Sequence, residues 1–402
     1  MKRVLLLYKN AYGGLSNAAW LLALIMFINR AGSMVIPFLS IYLITQLKLS
    51  VAEVGIVLSA FGLGSMAGSF LGGYLTDRIG QFKVQFMSLT VGGLMFLVLA
   101  YVKTYEYLVV WLFLVSTVAD SLRPANASSV ALYARPENVT RAFSLNRMAV
   151  NLGFSIGPAI GGLLAAMSYF WLFMVDGFTC IAAGFLFYFA FRNRKTYQPE
   201  NSKTSETGEK IKRVSAFKDK RYLAFAFCCC IFATLFFQLF TTLPLYYREI
   251  YQLPEENIGL LLGLNGLVVF VFEMVLVYLY GNKFKTHQFI VTGILLTGLS
   301  FVLLNLFEGA WILYLAMIVL SFSEIFAMPF MVTYTVERSG AHNKGSYMGL
   351  YALSYSTAFV IAPFLGTQII MHYGFDYLWW FAGVLAIIGA LGFYLALNVK
   401  KV

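Results

Sequence analysis

The sequence predicts an all-α membrane protein whose twelve transmembrane helices form two pseudo-symmetric bundles of six. Three observations carry that prediction. Apolar runs near twenty residues recur from Trp20 almost to the C-terminus, one long hydrophilic stretch interrupts them midway, and landmarks of the first half return in the second at a constant offset. Composition agrees: of 402 residues, 60% are hydrophobic and 12% charged. That is half the ~25% charged content of an average soluble domain, and mean hydropathy is +0.77.

The expected spans are 17–45, 52–76, 84–102, 106–133, 142–167, 170–191, 222–247, 257–280, 287–307, 310–336, 346–371 and 375–397. Each is long enough to cross a ~30 Å hydrocarbon layer as a helix. Together they leave no room for a second globular domain, which excludes a soluble enzyme. They are continuously apolar rather than alternating, which excludes a β-barrel. Only Val4–Leu7 follows Met1-Lys2-Arg3 before polarity returns, so no cleavable signal peptide is expected. The domains are then a first bundle over 1–191, a linker over 192–221 and a second bundle over 222–402. The linker is rich in Ser, Thr, Glu and Lys and reads as a solvated connection. The alternative over Ile211–Phe217 is a short amphipathic piece lying on the surface.

Charge placement sets the orientation. With the N-terminus in the cytoplasm, the inner side holds Lys2, Arg3, Lys9, Arg78, Lys83, Arg135, Arg141, Arg147, Lys283, Lys285, Arg338, Lys344, Lys400 and Lys401, plus ten basic residues between Arg192 and Arg221. The outer side holds Lys48, Lys103 and Arg248. This asymmetry places both termini inside, as expected of a multi-pass inner-membrane protein. The net charge of +11 is therefore a topology signal, and no nucleic-acid partner is expected. Cys180, Cys228, Cys229 and Cys230 all lie within spans, and His287, His342 and His372 are scattered. Neighbouring cysteines on a helix point apart, so neither a disulfide framework nor a metal site is expected. No cofactor is expected either.

The halves repeat each other. Pro124 and Pro158 are 34 residues apart, as are Pro329 and Pro363. Gly153, Gly157 and Gly161 recur as Ala358, Ala362 and Gly366, each displaced by 205. Leu49-Ser50 with Gly55 matches Leu253-Pro254 with Gly259, and Tyr74-Leu75 matches Tyr278-Leu279, both displaced by 204. Six spans return the chain to its starting side, so the repeat is parallel about an axis along the membrane normal. Such a repeat puts a cavity between the halves, and rocking opens it to alternate sides. A carrier is expected.

Two motifs add detail. The end of span two and its loop read Gly73-Tyr74-Leu75-Thr76-Asp77-Arg78-Ile79-Gly80-Gln81-Phe82-Lys83. This resembles the signature loop of the major facilitator superfamily, G-x-L-x-D-R-x-G-R-R/K, with Gln81 at a usual basic position and Lys83 two places later. An Asp at a helix end can pair with a nearby Arg or with another helix's N-terminus, so Gly73, Asp77, Arg78, Gly80 and Lys83 are expected to form a conformational latch. In the second half Gly281-Asn282-Lys283 lacks the Asp, which makes the latch one-sided. Span five carries Gly153-Phe154-Ser155-Ile156-Gly157-Pro158-Ala159-Ile160-Gly161-Gly162, similar to the G-x-x-x-G-P-x-x-G-G motif of that superfamily's antiporter branch. Glycine at every fourth position lets helices approach closely, and Pro158 loosens the ladder. Gating and packing are both open readings, because Gly64, Gly68 and Gly72 share the spacing without the motif. The resemblance covers the whole chain and is greatest to twelve-helix proton-coupled drug exporters.

Six ionisable residues are assigned to span interiors: Arg30, Asp120, Arg123, Asp176, Glu273 and Glu324. Each costs ~2.5–3.5 kcal/mol at a helix centre and is a functional candidate by default. Asp120 and Arg123 are three apart and can pair, and removing either is expected to strand a buried charge. The resemblance implies that spans one, four, seven and ten line the cavity, which would put Arg30 and Glu324 on its wall. A carboxyl without water or a cation takes a proton readily. Glu324 is therefore the first candidate for proton coupling, Glu273 the second, with Asp120 also on the path. Arg30, Arg123, Asn146 and Gln238 are candidate substrate-cavity groups. Asp176 reads as a packing or interfacial residue.

No G-x-x-x-x-G-K-[ST] loop is present, so ATP is not the energy source. A proton falling through ~100 mV gains ~2.3 kcal/mol and one pH unit adds ~1.4, which supports a substrate gradient of several hundredfold. The expectation is a monomeric proton-driven exporter of amphipathic drugs or related small molecules, with substrate, protons and lipid as its partners. The alternative is a proton-coupled importer of a peptide or sugar, although the E-x-x-E-R signature of peptide symporters is absent around Met26, Asn29 and Arg30.

Overall fold

The computed structural model describes residues 14–135, 139–194, 216–280, 283–339 and 344–398. Among them twelve helical spans are long and apolar enough to cross a bilayer. Spans one to six are Asn17–Thr45, Val51–Ile79, Gln81–Leu99, Tyr105–Tyr133, Arg141–Met167 and Tyr169–Phe191. Spans seven to twelve are Lys220–Glu249, Glu255–Glu273, Thr286–Leu306, Ala310–Ser339, Ser346–Tyr373 and Phe375–Leu397. The surface-lying alternative for the linker falls largely on 211–215, outside the described residues, as does the Gly281-Asn282 pair. The end of the molecule where span six finishes and span seven starts is here the linker end.

The pairing of helices repeats with the sequence. In the first half span one packs on five, two on four, and three on six; in the second, seven packs on eleven, eight on ten, and nine on twelve. Trp379 of span twelve is fully buried and stacks on Phe301 of span nine, ring centroids 5.1 Å apart. On the outer faces Phe70, Phe178, Phe227 and Leu395 are exposed, which lipid makes favourable. Ser50 and Glu53 form a reciprocal cap at the start of span two, with Ser50 N–H donating to Glu53 at 2.8 Å, where the helix leaves water. The turn between spans two and three is the single residue Gly80, with φ 86°. A side chain is strained there, so this motif glycine has a local reason to exist.

Spans one and seven both break near mid-membrane, at equivalent places. Span one is helical over Asn17–Ala31 and again over Val35–Thr45. Span seven is helical over Lys220–Phe236, Gln238–Thr241 and Leu243–Glu249. Each break frees backbone groups that must be satisfied inside the protein, and both find side chains to do it.

The halves meet where span five packs on eight and span two on eleven. Span five crosses eight through small residues: a Cβ on Gly162 or Gly259 would collide with the facing backbone, and Ser155 Oγ donates to Gly263 O at 3.1 Å. Span two meets eleven at Gly55, against Thr367, and at Gly62, against Phe359, while Ser59 Oγ donates to Val360 O at 3.0 Å. Tyr169 OH adds a hydrogen bond to Glu255 at 3.2 Å. These contacts lie toward the end away from the linker. Nearer the linker, Ser69 and Ala352 of spans two and eleven line open space. A Cβ on Gly73 would meet nothing within 4 Å.

Candidate functional site

A cavity of about 860 Å³ lies between the halves, reaching Ala127 and Phe143 toward the linker end. That volume suits a drug-sized molecule. Its walls combine aromatic rings from both halves, Phe61, Phe237, Phe359 and Tyr355 among them, with polar side chains such as Asn29, Ser65 and Asn126. Phe359 bridges the seam, its ring 5.9 Å from Phe61 and 4.8 Å from Phe237.

The break in span one positions Arg30. Asp176 of span six is almost fully buried and accepts from Met34 N–H and Val35 N–H, both at 3.1 Å. Cys180 Sγ lies 3.7 Å from its other oxygen, and Asn29 Nδ2 donates to Cys180 Sγ at 3.3 Å. Asp176 therefore caps the second segment of span one, a packing role. Arg30, at the end of the first segment, lines the cavity with its guanidinium 5.4 Å from the Phe154 ring centre. Its Nε is buried without a hydrogen-bond partner. Gly153 and Gly157 face the Arg30–Ala31 backbone and Gly161 faces Met34. A Cβ on Gly153 would fall 2.6 Å from Arg30 Cβ, so this ridge packs span one on five. Gly64, Gly68 and Gly72 do the same for spans two and four, against Phe113, Thr117 and Ser121.

Asp120 and Arg123 form an ion pair at 2.8 Å, although the helix breaks at Ser121 between them. The pair is lopsided: the Arg123 side chain is 55% exposed and that of Asp120 is 9%. Asp120 Oδ2 has no hydrogen-bond partner, nor has Asn146 Oδ1 on the same side of the cavity.

Across the cavity, span ten brings Glu324 to the wall. Among the described residues no basic nitrogen lies within 4.0 Å of its carboxylate. Asn265 of span eight sits beside it and donates to Ser321 Oγ at 3.1 Å. Glu273 differs. It faces span five, where Arg147 Nη2 is 2.6 Å from one oxygen and Asn151 Nδ2 donates to the other at 3.3 Å. Arg147 was expected at the inner end face; it sits two turns inside its helix (Val139–Met167) and closes an ion pair between the halves. Its position so near the helix start hid it, since a basic residue there reads as a topology charge.

Gln238 is not a cavity group. It is 2% exposed and saturated: Nε2 donates to Thr234 O at 3.3 Å and Ala362 O at 3.0 Å, while Oε1 accepts from Thr241 at 3.3 Å and Thr242 at 2.7 Å. It serves the break in span seven and ties it to span eleven, much as Asp176 serves span one. Asp77, Arg78 and Lys83 are exposed at the linker end. Among the described residues Asp77 forms no ion pair. Arg78 lies 4.6 Å over the Tyr74 ring instead. No group of His, Cys, Asp and Glu suited to a metal occurs among the described residues.

The sequence profile of the Major Facilitator Superfamily matches residues 19–352 and 255–401. An uncharacterized MFS-type transporter, YttB, of Bacillus subtilis is 23% identical over 353 residues, covering 87% of each chain. A Na(+), Li(+), K(+)/H(+) antiporter of Planococcus maritimus is 24% identical over 399 residues, covering 88% of this chain and 93% of its own. The quinolone resistance protein NorA of Staphylococcus aureus is 24% identical over 286 residues, covering 69% and 70%. Among solved structures, a POT family transporter in complex with 5-aminolevulinic acid superposes with TM-score 0.81 at 15% identity, over 97% and 98% of the chains. The nucleoside transporter NupG superposes with TM-score 0.76 at 16% identity, over 96% and 100%. With twelve spans, two repeated bundles and a cavity between them, this chain belongs to the Major Facilitator Superfamily and is a membrane transporter.

Proposed function

We propose that the chain is a proton-coupled antiporter that exports amphipathic small molecules, drugs or related compounds, by alternating access. The observation that carries this reading is Glu324: a carboxylate on the wall of the cavity between the halves with no ion-pair partner among the described residues. Charge asymmetry favours an inner-membrane orientation with both termini in the cytoplasm. The cavity then reaches the cytoplasmic side, where a substrate for export would enter. Glu324 would carry the proton and give it up as substrate occupies the same cavity, so release of one accompanies binding of the other. The latch at Asp77 and Arg78 would engage when the linker end closes, which fits its unpaired state here. A monomer holds the whole cavity.

A second reading, proton-coupled import of a nutrient such as a peptide or sugar, is favoured by Arg30, whose unpartnered Nε could receive an anionic or hydroxyl oxygen. Inside-out vesicles with ethidium in the medium as probe separate the two. For the exporter, an imposed pH gradient, acid inside, drives ethidium in, and nigericin abolishes the uptake. Movement with the proton rather than against it supports the importer.

A further inference from the structure

Glu273 on span eight of the second half pairs with Arg147 on span five of the first, and Glu324 on span ten lies within electrostatic range of both. Here Arg147 is engaged with Glu273 at 2.6 Å, steadied by Asn151 one turn along the same helix. The charges that act on Glu324 are those of Glu273 and Arg147. The remaining neighbours carry no formal charge at neutral pH. Span eight supplies Asn265 and span ten Ser321. Span eleven supplies Tyr351, within range of Arg147, and Tyr355, within range of Glu324, their rings 4.9 Å apart. Two acids and one fixed cation in a low-dielectric seam are neutral only with one proton aboard, because two like charges so placed repel and one acid protonates. The cation rides on one half and both acids on the other, so the movement that opens and closes the cavity changes its distance to each.

We propose that Arg147 is a positioning residue that is shared between Glu273 and Glu324, and that its transfer ties proton movement between these carboxylates to the rocking of the halves. This rests on the proton-coupled reading. With Arg147 on Glu273, as here, Glu324 is the acid that holds the proton. When a proton settles on Glu273, the pair loosens, Arg147 becomes available to Glu324, and the Glu324 proton leaves. One O–H bond breaks and one forms, and Arg147 stays charged throughout.

The test places spin labels at exposed Ala131 and Val336, toward the linker ends of spans four and ten, and follows the distance between them against pH. It is paired with ethidium counterflow, which needs no gradient. In the unmutated protein the distance shifts with pH. In Arg147→Gln the midpoint moves to higher pH by about one unit or more, a tenfold change in proton affinity, and pH-driven transport is lost while counterflow persists. Arg147→Lys keeps a cation and restores the midpoint. If Arg147→Gln fails to insert, Glu273→Gln keeps the side-chain shape and moves the midpoint the other way, to lower pH, because a like charge is gone and Arg147 is free to pair with Glu324. An unmoved midpoint, or driven transport and counterflow falling together, overturns the positioning role while leaving proton coupling intact. Absence of any pH response in the unmutated protein overturns both.

Discussion

Replacing Arg123 by Gln is expected to destabilise this protein more than replacing Asp120 by Asn, because only one member of the pair is buried. The contact is 2.8 Å, with Arg123 55% exposed and Asp120 9% exposed. Breaking a buried pair costs ~3–5 kcal/mol and an exposed one ~0.2–1 kcal/mol. Arg123→Gln strands a carboxylate whose Oδ2 already lacks a partner, so its cost lies at the lower end of the buried range, about 3 kcal/mol. Asp120→Asn strands a guanidinium that cavity water reaches, and its cost is about 0.5–1 kcal/mol. The double change should recover ~1 kcal/mol or more of the summed cost. Steric-trap unfolding in bicelles measures all four corners of the cycle. An equal or larger cost for Asp120→Asn, or strict additivity, would refute this asymmetry. The sequence alone suggested that either single change would strand a buried charge; the exposure of Arg123 removes half of that expectation.

Three further outcomes are expected. Asp77→Asn lowers the transport rate in proteoliposomes yet leaves the unfolding midpoint unchanged, since Asp77 is exposed and unpaired here; a stability loss comparable to the rate loss would contradict this. Gly80→Ala, at φ 86°, costs ~1–3 kcal/mol in backbone strain, read in the same unfolding assay. Asp219, just before span seven, is pushed up by burial, but hydrogen bonds from Arg338 at 2.9 and 3.1 Å outweigh this and hold its carboxyl below the usual 3.8. A lowered value stabilises the fold above the unfolded pKa and is lost as pH falls through the folded one, so the stability gap between the native chain and Asp219→Asn persists at neutral pH and shrinks only below pH 3.8.

Much of the architecture was legible because membrane spans announce themselves by length and charge. The 205-residue displacement of the Gly153 ridge also becomes a matching contact in space: Gly161 meets Met34 of span one, and Gly366 meets Gln238 of span seven. What stayed hidden depends on contacts between distant segments. The breaks in spans one and seven were not foreseen, and Gln238 was assigned to the cavity because a lone amide in an apolar helix looks the same whether it meets substrate or freed backbone. The hydroxyls of Thr241 and Thr242, three and four residues later, were the local signal for the second. Glu273 was named as the second proton candidate, but its partner Arg147 stood in a stretch where basic residues mark the membrane boundary. Asp176 was placed as packing, and its two backbone hydrogen bonds give that packing a purpose. Glu324 lines the cavity, where the family resemblance put it, and among the described residues it has no ion-pair partner.

The central proposal is tested most directly by Glu324→Gln in inside-out vesicles. Glutamine keeps the size of the protonated acid and removes its proton chemistry. Ethidium uptake driven by an imposed pH gradient should fall to the level of empty vesicles, while gradient-free counterflow continues. Full pH-driven uptake in Glu324→Gln would contradict the assignment of Glu324 as proton carrier and transfer that role to Glu273.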